Sequence, residues 1–137
     1  MKRKCIYAFS LYFWLGGDIL KESIFQKKII DDIKQKFANS QVYISKLDSG
    51  YTQGVPDLLI LIDDFWAMLE NKKSAKASHR PNQEYYVNKF ENMSFARFIF
   101  PENKDEVLKA LSFRFNNRIY IQHIKFLYKN FKKGGVV

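Results

Sequence analysis

The amino-acid sequence predicts an α/β domain in which a mixed central sheet of about four strands is flanked by helices. Segments whose apolar residues recur every three to four positions alternate with short apolar or alternating segments that are typical of strands. The chain has 137 residues, of which 47% are hydrophobic and 17% aromatic. This length fits one domain with one core, and this composition differs from that of a disordered chain.

The first 17 residues form a segment of their own. A basic triplet, Lys2 to Lys4, precedes an apolar run that ends at Leu15. The run has no small-residue cleavage site of a secretion signal, and it is shorter than the roughly 20 residues that cross a bilayer. We expect residues 1–17 to form an aromatic N-terminal arm or an extra strand, with no membrane association. Cys5 is the only cysteine, which favours a reducing, cytoplasmic setting.

The core of the domain is expected over residues 18–112, and it begins with a helix. Asp18 follows two glycines as a good N-cap, and the helix is predicted from about residue 19 to 37. The apolar residues of this helix form one stripe: Phe25, Ile29, Ile33 and Phe37. Glu22 lies on the same stripe, where burial of an unpaired charge is costly. It has either a functional role or a solvent-facing place in the first turn.

Three strands and a tight connection are predicted next. Residues 42–47 alternate apolar and polar side chains, and apolar strands follow at 56–62 and 65–72. Only Asp63 and Asp64 separate the last two strands, so these strands are expected to form a hairpin although its turn lacks glycine.

In the second half of the chain, predicted helices alternate with a predicted strand. A basic loop at residues 71–80 precedes a helix from Pro81 to about residue 92, since proline is well placed at the start of a helix. A fourth strand is predicted at 94–100 and a helix at 102–111. Residues 113–137 form a basic C-terminal extension with no acidic residue.

The hairpin brings two carboxylates together. Counting outward from the turn pairs Ile62 with Phe65 and, five steps further, Asp57 with Glu70. Directly opposed like charges are destabilising, so the pair needs a cation between its members. Lys72 lies two residues beyond Glu70 and faces the same side of the strand, whereas Asn71 faces the other side.

This arrangement of side chains is suited to metal-dependent hydrolysis of a phosphodiester. Mg²⁺ prefers oxygen ligands and takes one or two carboxylates with substrate phosphate, and Mn²⁺ can substitute. Lys72 would position water and offset charge on the phosphate. The alternative is that Glu70 and Lys72 are ordinary polar residues of a solvent-facing strand, because isolated Glu-x-Lys triplets are common.

The charge balance indicates a polyanionic partner. Lys and Arg number 23 against 14 Asp and Glu, which gives a net charge of +9. The candidate DNA-binding residues lie in the basic loop and in the extension: Lys73, Lys76, His79, Arg80, Lys125, Lys129, Lys132 and Lys133.

Pro56-Asp57 followed by Glu70-Asn71-Lys72 resembles the signature of the PD-(D/E)XK nuclease superfamily. That resemblance implies a core of helix, three strands, helix and strand. It also assigns a catalytic role to Asp57, Glu70 and Lys72. Glu22 corresponds to a glutamate that many members carry on the first helix and would be a further metal ligand. Gln83 corresponds to a glutamine that opens the helix after the lysine.

Within the superfamily, the segment from Gly54 to Leu58 with Gln83 is similar to virus-type replication-repair (VRR-NUC) nucleases and phage Holliday-junction resolvases. The resemblance implies an Mg²⁺-dependent endonuclease that cuts branched double-stranded DNA as a homodimer, and we expect the aromatic arm to form the dimer contact. Asn71 departs from the usual apolar residue, and we expect it to face solvent. The alternatives are a restriction-like or RNA-cleaving nuclease and a catalytically idle DNA-binding module.

Overall fold

A computed structural model describes residues 18–48 and 50–133 of the chain. The predicted aromatic arm, residues 1–17, lies outside this part, as do residues 134–137 of the basic extension. The helices and strands follow in this order: α1 (Asp18–Lys36), β1 (Val42–Lys46), β2 (Leu58–Ile62), β3 (Phe65–Asn71), α2 (Pro81–Met93), β4 (Phe95–Ile99), α3 (Lys104–Asn116) and α4 (Arg118–Lys133).

The strands form one mixed sheet with the order β1-β2-β3-β4. β1, β2 and β3 pair antiparallel, and β4 joins β3 in parallel after the α2 crossover. The predicted fold class and the predicted order of helix, three strands, helix and strand are therefore confirmed. Parallel pairing of β3 and β4 requires a connection across the sheet, which α2 supplies.

The β2–β3 hairpin has the predicted register. Ile62 pairs with Phe65, and Leu58 pairs with Leu69 at the other end. Asp63 makes the tight turn without a glycine because it adopts a left-handed conformation with φ of 50°. Its carboxylate accepts a hydrogen bond of 2.8 Å from the backbone N–H of Gln41, which supports this conformation.

The larger hydrophobic core lies between one face of the sheet and helices α1 and α3. Ile29 and Ile33 of α1 are fully buried there, as the apolar stripe predicts. Phe115 packs edge-on against Phe37 at 5.3 Å and against Phe65 at 6.0 Å between ring centroids. Because Phe115 belongs to this core, α3 continues to Asn116 rather than ending near residue 111. The packed region thus extends past the predicted boundary at residue 112.

The opposite face of the sheet is covered by α2 over a smaller cluster. Met68, Val87 and Ala96 are buried there, with Trp66 and Phe90 packed against them. Side chains alternate along a strand, so residues 66, 68 and 70 of β3 share this face. Glu70 consequently lies on the same side of the sheet as α2.

α4 occupies residues 118–133 of the basic extension, whose secondary structure was left open in the prediction. Arg118, the first residue of α4, forms a 2.6 Å ion pair with Asp64 in the β2–β3 turn. The Arg118 guanidinium lies 4.1 Å from the centre of the Phe115 ring. Of the helices in residues 18–48 and 50–133, none is long and apolar enough to cross a membrane.

Candidate active site

Asp57 and Glu70 meet where β2 begins and β3 ends. The register places them one step beyond the Leu58–Leu69 pair, as predicted. Asp57 directly precedes β2, and its Oδ2 accepts a 2.9 Å hydrogen bond from the backbone N–H of Asn71. This bond fixes the Asp57 carboxylate against β3, where Glu70 is only 2% exposed.

The pKa values of both carboxyls are raised. Burial raises the pKa of Glu70 to about 7, with a further contribution from the negative charge of Asp57 that Lys72 only partly offsets. Burial also raises the pKa of Asp57, against the opposing effects of the Asn71 N–H and of Lys72. The two sites therefore resist carrying two negative charges together, and a bound cation would relieve that repulsion.

Lys72 follows directly after β3 and approaches the same carboxylate. Its Nζ lies 3.6 Å from Glu70 Oε1, and its side chain is 11% exposed. The Lys72 backbone N–H donates a 2.8 Å hydrogen bond to Ile99 O, which keeps the residue in line with the sheet. The Lys72 Nζ lies over the ring of Phe98 in β4, 5.8 Å from the ring centre.

Gln83 in the first turn of α2 links the two charged groups. Its Nε2 donates to Glu70 Oε1, and its Oε1 accepts from Lys72 Nζ at 2.6 Å. The same Oε1 accepts from the Arg80 backbone N–H at 3.2 Å. The structure thus brings Gln83 into direct contact with Glu70 and Lys72, and Gln83 holds their relative positions.

Gly54 sets the distance between the loop before β2 and the start of α2. Its φ is +92°, and a Cβ there would lie 2.6 Å from the Asn82 Cβ and 2.7 Å from the Asn82 carbonyl carbon. Only glycine combines this conformation with this close approach. This role of Gly54 was not predicted, since nothing in the sequence shows that Asn82 is its neighbour.

An open cleft of about 450 Å³ lies beside Asp57, Glu70 and Lys72. Its lining comprises Glu22, Asp57, Glu70, Asn71, Lys72, Lys73, Ala77, Ser78, Arg80 and Gln83. Glu22 therefore reaches the cleft from α1, but it is exposed rather than buried on the helix stripe. The first turn of α1 places it near the rim, where water is accessible.

The carboxylates fit a hard divalent cation that takes few protein ligands. Within residues 18–48 and 50–133, no three His, Cys, Asp or Glu side chains come close enough to hold a metal ion together. Glu70 Oε2 is buried and has no hydrogen-bond partner, whereas Oε1 is held by Gln83. One free buried oxygen beside a second carboxylate is a donor set that suits Mg²⁺, which keeps several waters.

Asn71 does not face solvent, contrary to the prediction. It is 3% exposed, and neither its Oδ1 nor its Nδ2 has a hydrogen-bond partner. It shares its side of β3 with Leu69 of the larger core, and it also lines the cleft. The prediction was wrong because a polar side chain at this position implied an open face, whereas this face of β3 carries the larger hydrophobic core.

The predicted DNA-binding residues fall into two separate groups. Lys73 and Arg80 line the cleft, and Lys76 lies in the same loop. His79 stacks on Phe98 with ring centroids 4.0 Å apart and an interplanar angle of 6°. Phe98, which the sequence analysis did not single out, therefore supports both His79 and Lys72.

The second group lies on α4, at the other end of the sheet. Lys125 Nζ donates to the backbone carbonyl of Asn92, near the C-terminal end of α2, at 3.3 Å. α2 starts at the cleft and runs away from it, so Lys125 is remote from Glu70. Lys129, Lys132 and Lys133 follow Lys125 on the same helix.

No model of a known protein family matches the sequence, and no curated protein matches it. Among solved structures, the chain is similar to a VRR_NUC domain with a TM-score of 0.48 and 21% sequence identity. The similar region covers 65% of this chain and 95% of that one. The chemistry that this chain can perform is therefore inferred from the side chains at the ends of β2 and β3.

Proposed function

We propose that this protein is a metal-dependent endonuclease of the PD-(D/E)XK type that hydrolyses phosphodiester bonds in DNA. The observation that carries the proposal is the pairing of the half-buried Asp57 with the buried Glu70, with one free Glu70 oxygen and the Lys72 ammonium 3.6 Å from the other. A fold gains no stability from two opposed, desolvated carboxylates, so a cation-binding role explains their position.

Asp57 and Glu70 would hold the divalent cation, and Glu22 at the rim would contact it through water. Once bound, Mg²⁺ or Mn²⁺ would supply Lewis-acid activation of water and of the phosphodiester. Lys72 would place its ammonium against the negative charge that grows on the phosphate during attack.

Gln83 has a positioning role in this proposal. Its amide nitrogen donates to Glu70 Oε1, which would leave Oε2 for the cation, and its amide oxygen accepts from the Lys72 ammonium and orients it. One side chain therefore controls both the ligand oxygen and the cationic group. Gln83 acts through these neighbours rather than on the substrate.

We further propose that the substrate is branched double-stranded DNA, such as a replication or recombination intermediate, in the cytoplasm. The net charge of +9 and the basic residues Lys73 and Arg80 at the cleft support a nucleic-acid partner. The cleft is open, which suits a backbone passing across it. Paired incision of a two-fold symmetric junction would require a homodimer with two such sites.

A cleavage panel tests the proposal. Linear, flapped, single-stranded and four-way DNA, together with an RNA duplex, are incubated with the protein in Mg²⁺, Mn²⁺ or EDTA. We expect metal-dependent cutting with a preference for the branched DNA. Preferred cutting of RNA or of unbranched duplex would show that branched DNA is not the substrate. DNA binding without cutting in either metal would identify a catalytically idle binding module.

A further inference from the structure

The basic loop at residues 71–80 supplies part of the cleft. Residues 72–80 contain four cations and no acidic residue. Lys73, Ser78 and Arg80 of this loop line the cleft. Because these side chains come from a connection, the hydrogen bonds of a helix or a sheet do not fix them. The position of the loop therefore decides where the cations of the cleft lie.

His79 attaches this loop to the sheet. Its imidazole stacks on the Phe98 ring with the centroids 4.0 Å apart and the planes 6° apart. The His79 side chain is 29% exposed, although its neighbours Ser78 and Arg80 are exposed residues. Such a contact removes apolar area from water and adds a favourable ring–ring interaction, so it selects one position of the loop.

Phe98 lies at the active-site end of the sheet. The β3–β4 register pairs it with Glu70, and the Lys72 Nζ lies over its ring. Phe98 also packs against the smaller hydrophobic cluster under α2, which includes Val87. The ring is therefore a fixed support, and the loop that rests on it through His79 is held beside the catalytic carboxylate.

The surroundings of the imidazole do not favour a phosphate contact. The His79 Nδ1 lies 3.6 Å from Glu84 Oε1, which is too long for a hydrogen bond. The Glu84 side chain is 57% exposed, so this pair adds little to the attachment of the loop. Its carboxylate would also repel a phosphate from that side of the ring. The ring face of His79 makes the stronger contact.

We propose that His79 is a positioning residue, whose stack on Phe98 fixes the basic loop along the cleft. Lys73 and Arg80 would then meet the DNA backbone in one arrangement. The imidazole would act through its ring face, and not as an acid, a base or a phosphate ligand. A loop that is fixed before DNA binds loses less conformational freedom on binding, which strengthens binding. The effect on DNA rests on the proposed function, whereas the stack itself does not.

Steady-state cleavage by two substitutions at one position tests this role. In saturating Mg²⁺, we expect His79→Ala to raise KM by on the order of tenfold and to change kcat by less than about threefold, because the loop is released while Glu70, Lys72 and Gln83 keep their contacts. His79→Phe keeps an aromatic face on Phe98 and should stay within about twofold of the wild type. Glu84→Gln is the matched control for the ion pair and should leave KM unchanged.

Limited trypsin digestion of the full chain without DNA tests the loop directly. Lys73 and Lys76 are the cutting sites in the loop, and mass spectrometry identifies the products. His79→Ala should be cut there about tenfold faster than the wild type, because a released loop fits a protease more readily. His79→Phe should be cut at the wild-type rate. Cutting at Lys129 on α4 is the internal reference, and circular dichroism verifies that each variant is folded.

Three outcomes would overturn the inference. The first is an equal rise of KM in His79→Ala and His79→Phe, which would show that an imidazole nitrogen contacts the DNA. The second is a fall of kcat at unchanged KM, which would make His79 part of the chemistry. The third is an unchanged rate of trypsin cutting in His79→Ala. A wild-type protein that cuts no nucleic acid would overturn the proposed function alone, since the trypsin comparison tests the stack without a substrate.

Discussion

The end of β3 buries polar side chains, whereas α4 exposes large apolar side chains. At the end of β3, the polar residues Glu70 and Asn71 are 2% and 3% exposed, and three of their side-chain atoms have no hydrogen-bond partner. On α4, Phe131 is 83% exposed and Ile119 is 73% exposed. Burying polar groups without partners is costly, and so is leaving large apolar groups in water.

The difference between these regions indicates what kind of ligand would suit each one. Desolvated oxygens gain from a small cation that supplies positive charge without needing room. Exposed rings and branched chains gain from a broad apolar partner that excludes water. The two regions would therefore take different ligands, and changes at one should leave the other unaffected.

The largest effect is expected at the carboxylates. Asp57→Ala, Glu70→Ala and Lys72→Ala should each lower the cleavage rate by about three orders of magnitude or more, because each removes a charge that acts on the reacting phosphate. Rates are measured in saturating Mg²⁺. DNA binding, followed by fluorescence anisotropy, should be nearly unchanged.

Glu106→Ala provides the matched control, since Glu106 is an exposed carboxylate on α3. It should cut at the wild-type rate. Normal cleavage by the Glu70→Ala protein would show that the assigned site is wrong.

The next largest effect concerns pH in the absence of metal. The folded-state pKa of Glu70 is about 7 against an ordinary value of 4.5, so the folded chain retains a proton that the unfolded chain has released. The free energy of unfolding should therefore fall as pH rises from about 4.5 to about 7, by on the order of 3 kcal/mol, and then level off. Denaturant titrations in EDTA measure this dependence.

Two additions to the same titration identify the cause. Glu70→Gln should remove most of the slope, because the amide does not ionise. Mg²⁺ added at pH 8 should restore stability to the wild type but not to Glu70→Gln, since a ligand stabilises only the state that binds it. A flat profile for the wild type would exclude a strained carboxylate pair.

A smaller effect is expected at Gly54. Gly54→Ala should lower the free energy of unfolding by about 2 kcal/mol, because φ is +92° and the new Cβ meets Asn82 at 2.6 Å. It should also slow cleavage, since Asn82 precedes Gln83. Gly50→Ala is the matched control, because its Cβ would meet only the flexible Asp48 carboxylate at 3.2 Å. Equal loss in both variants would contradict the close approach of Gly54 to α2.

The smallest effect, and one of opposite sign, is expected at Asn71. Asn71→Leu should raise the free energy of unfolding by about 1 kcal/mol, because it replaces unpaired buried polar atoms by an apolar side chain of similar size. Thermal unfolding measures the change. Asn88→Leu on the exposed side of α2 should change stability little. If Asn71→Leu destabilises the protein, the amide has a partner in solution.

The sequence by itself determined the order of elements from α1 to α3 and the register of the hairpin. Both depend on local properties: apolar periodicity selects helix or strand, and a two-residue turn at Asp63 and Asp64 fixes which residues of β2 and β3 oppose each other. The meeting of Asp57, Glu70 and Lys72 on one face follows from that register alone.

Only the tertiary structure decided which residues are covered and by what. Asn71 is buried at the end of the β3 face that carries the larger core, and Gln83 reaches Glu70 because Gly54 lets α2 approach the loop before β2. Phe115 extends α3 past its predicted end by packing against Phe37. These contacts join residues far apart in the chain, and local pattern carries no information about them because burial depends on how whole elements pack.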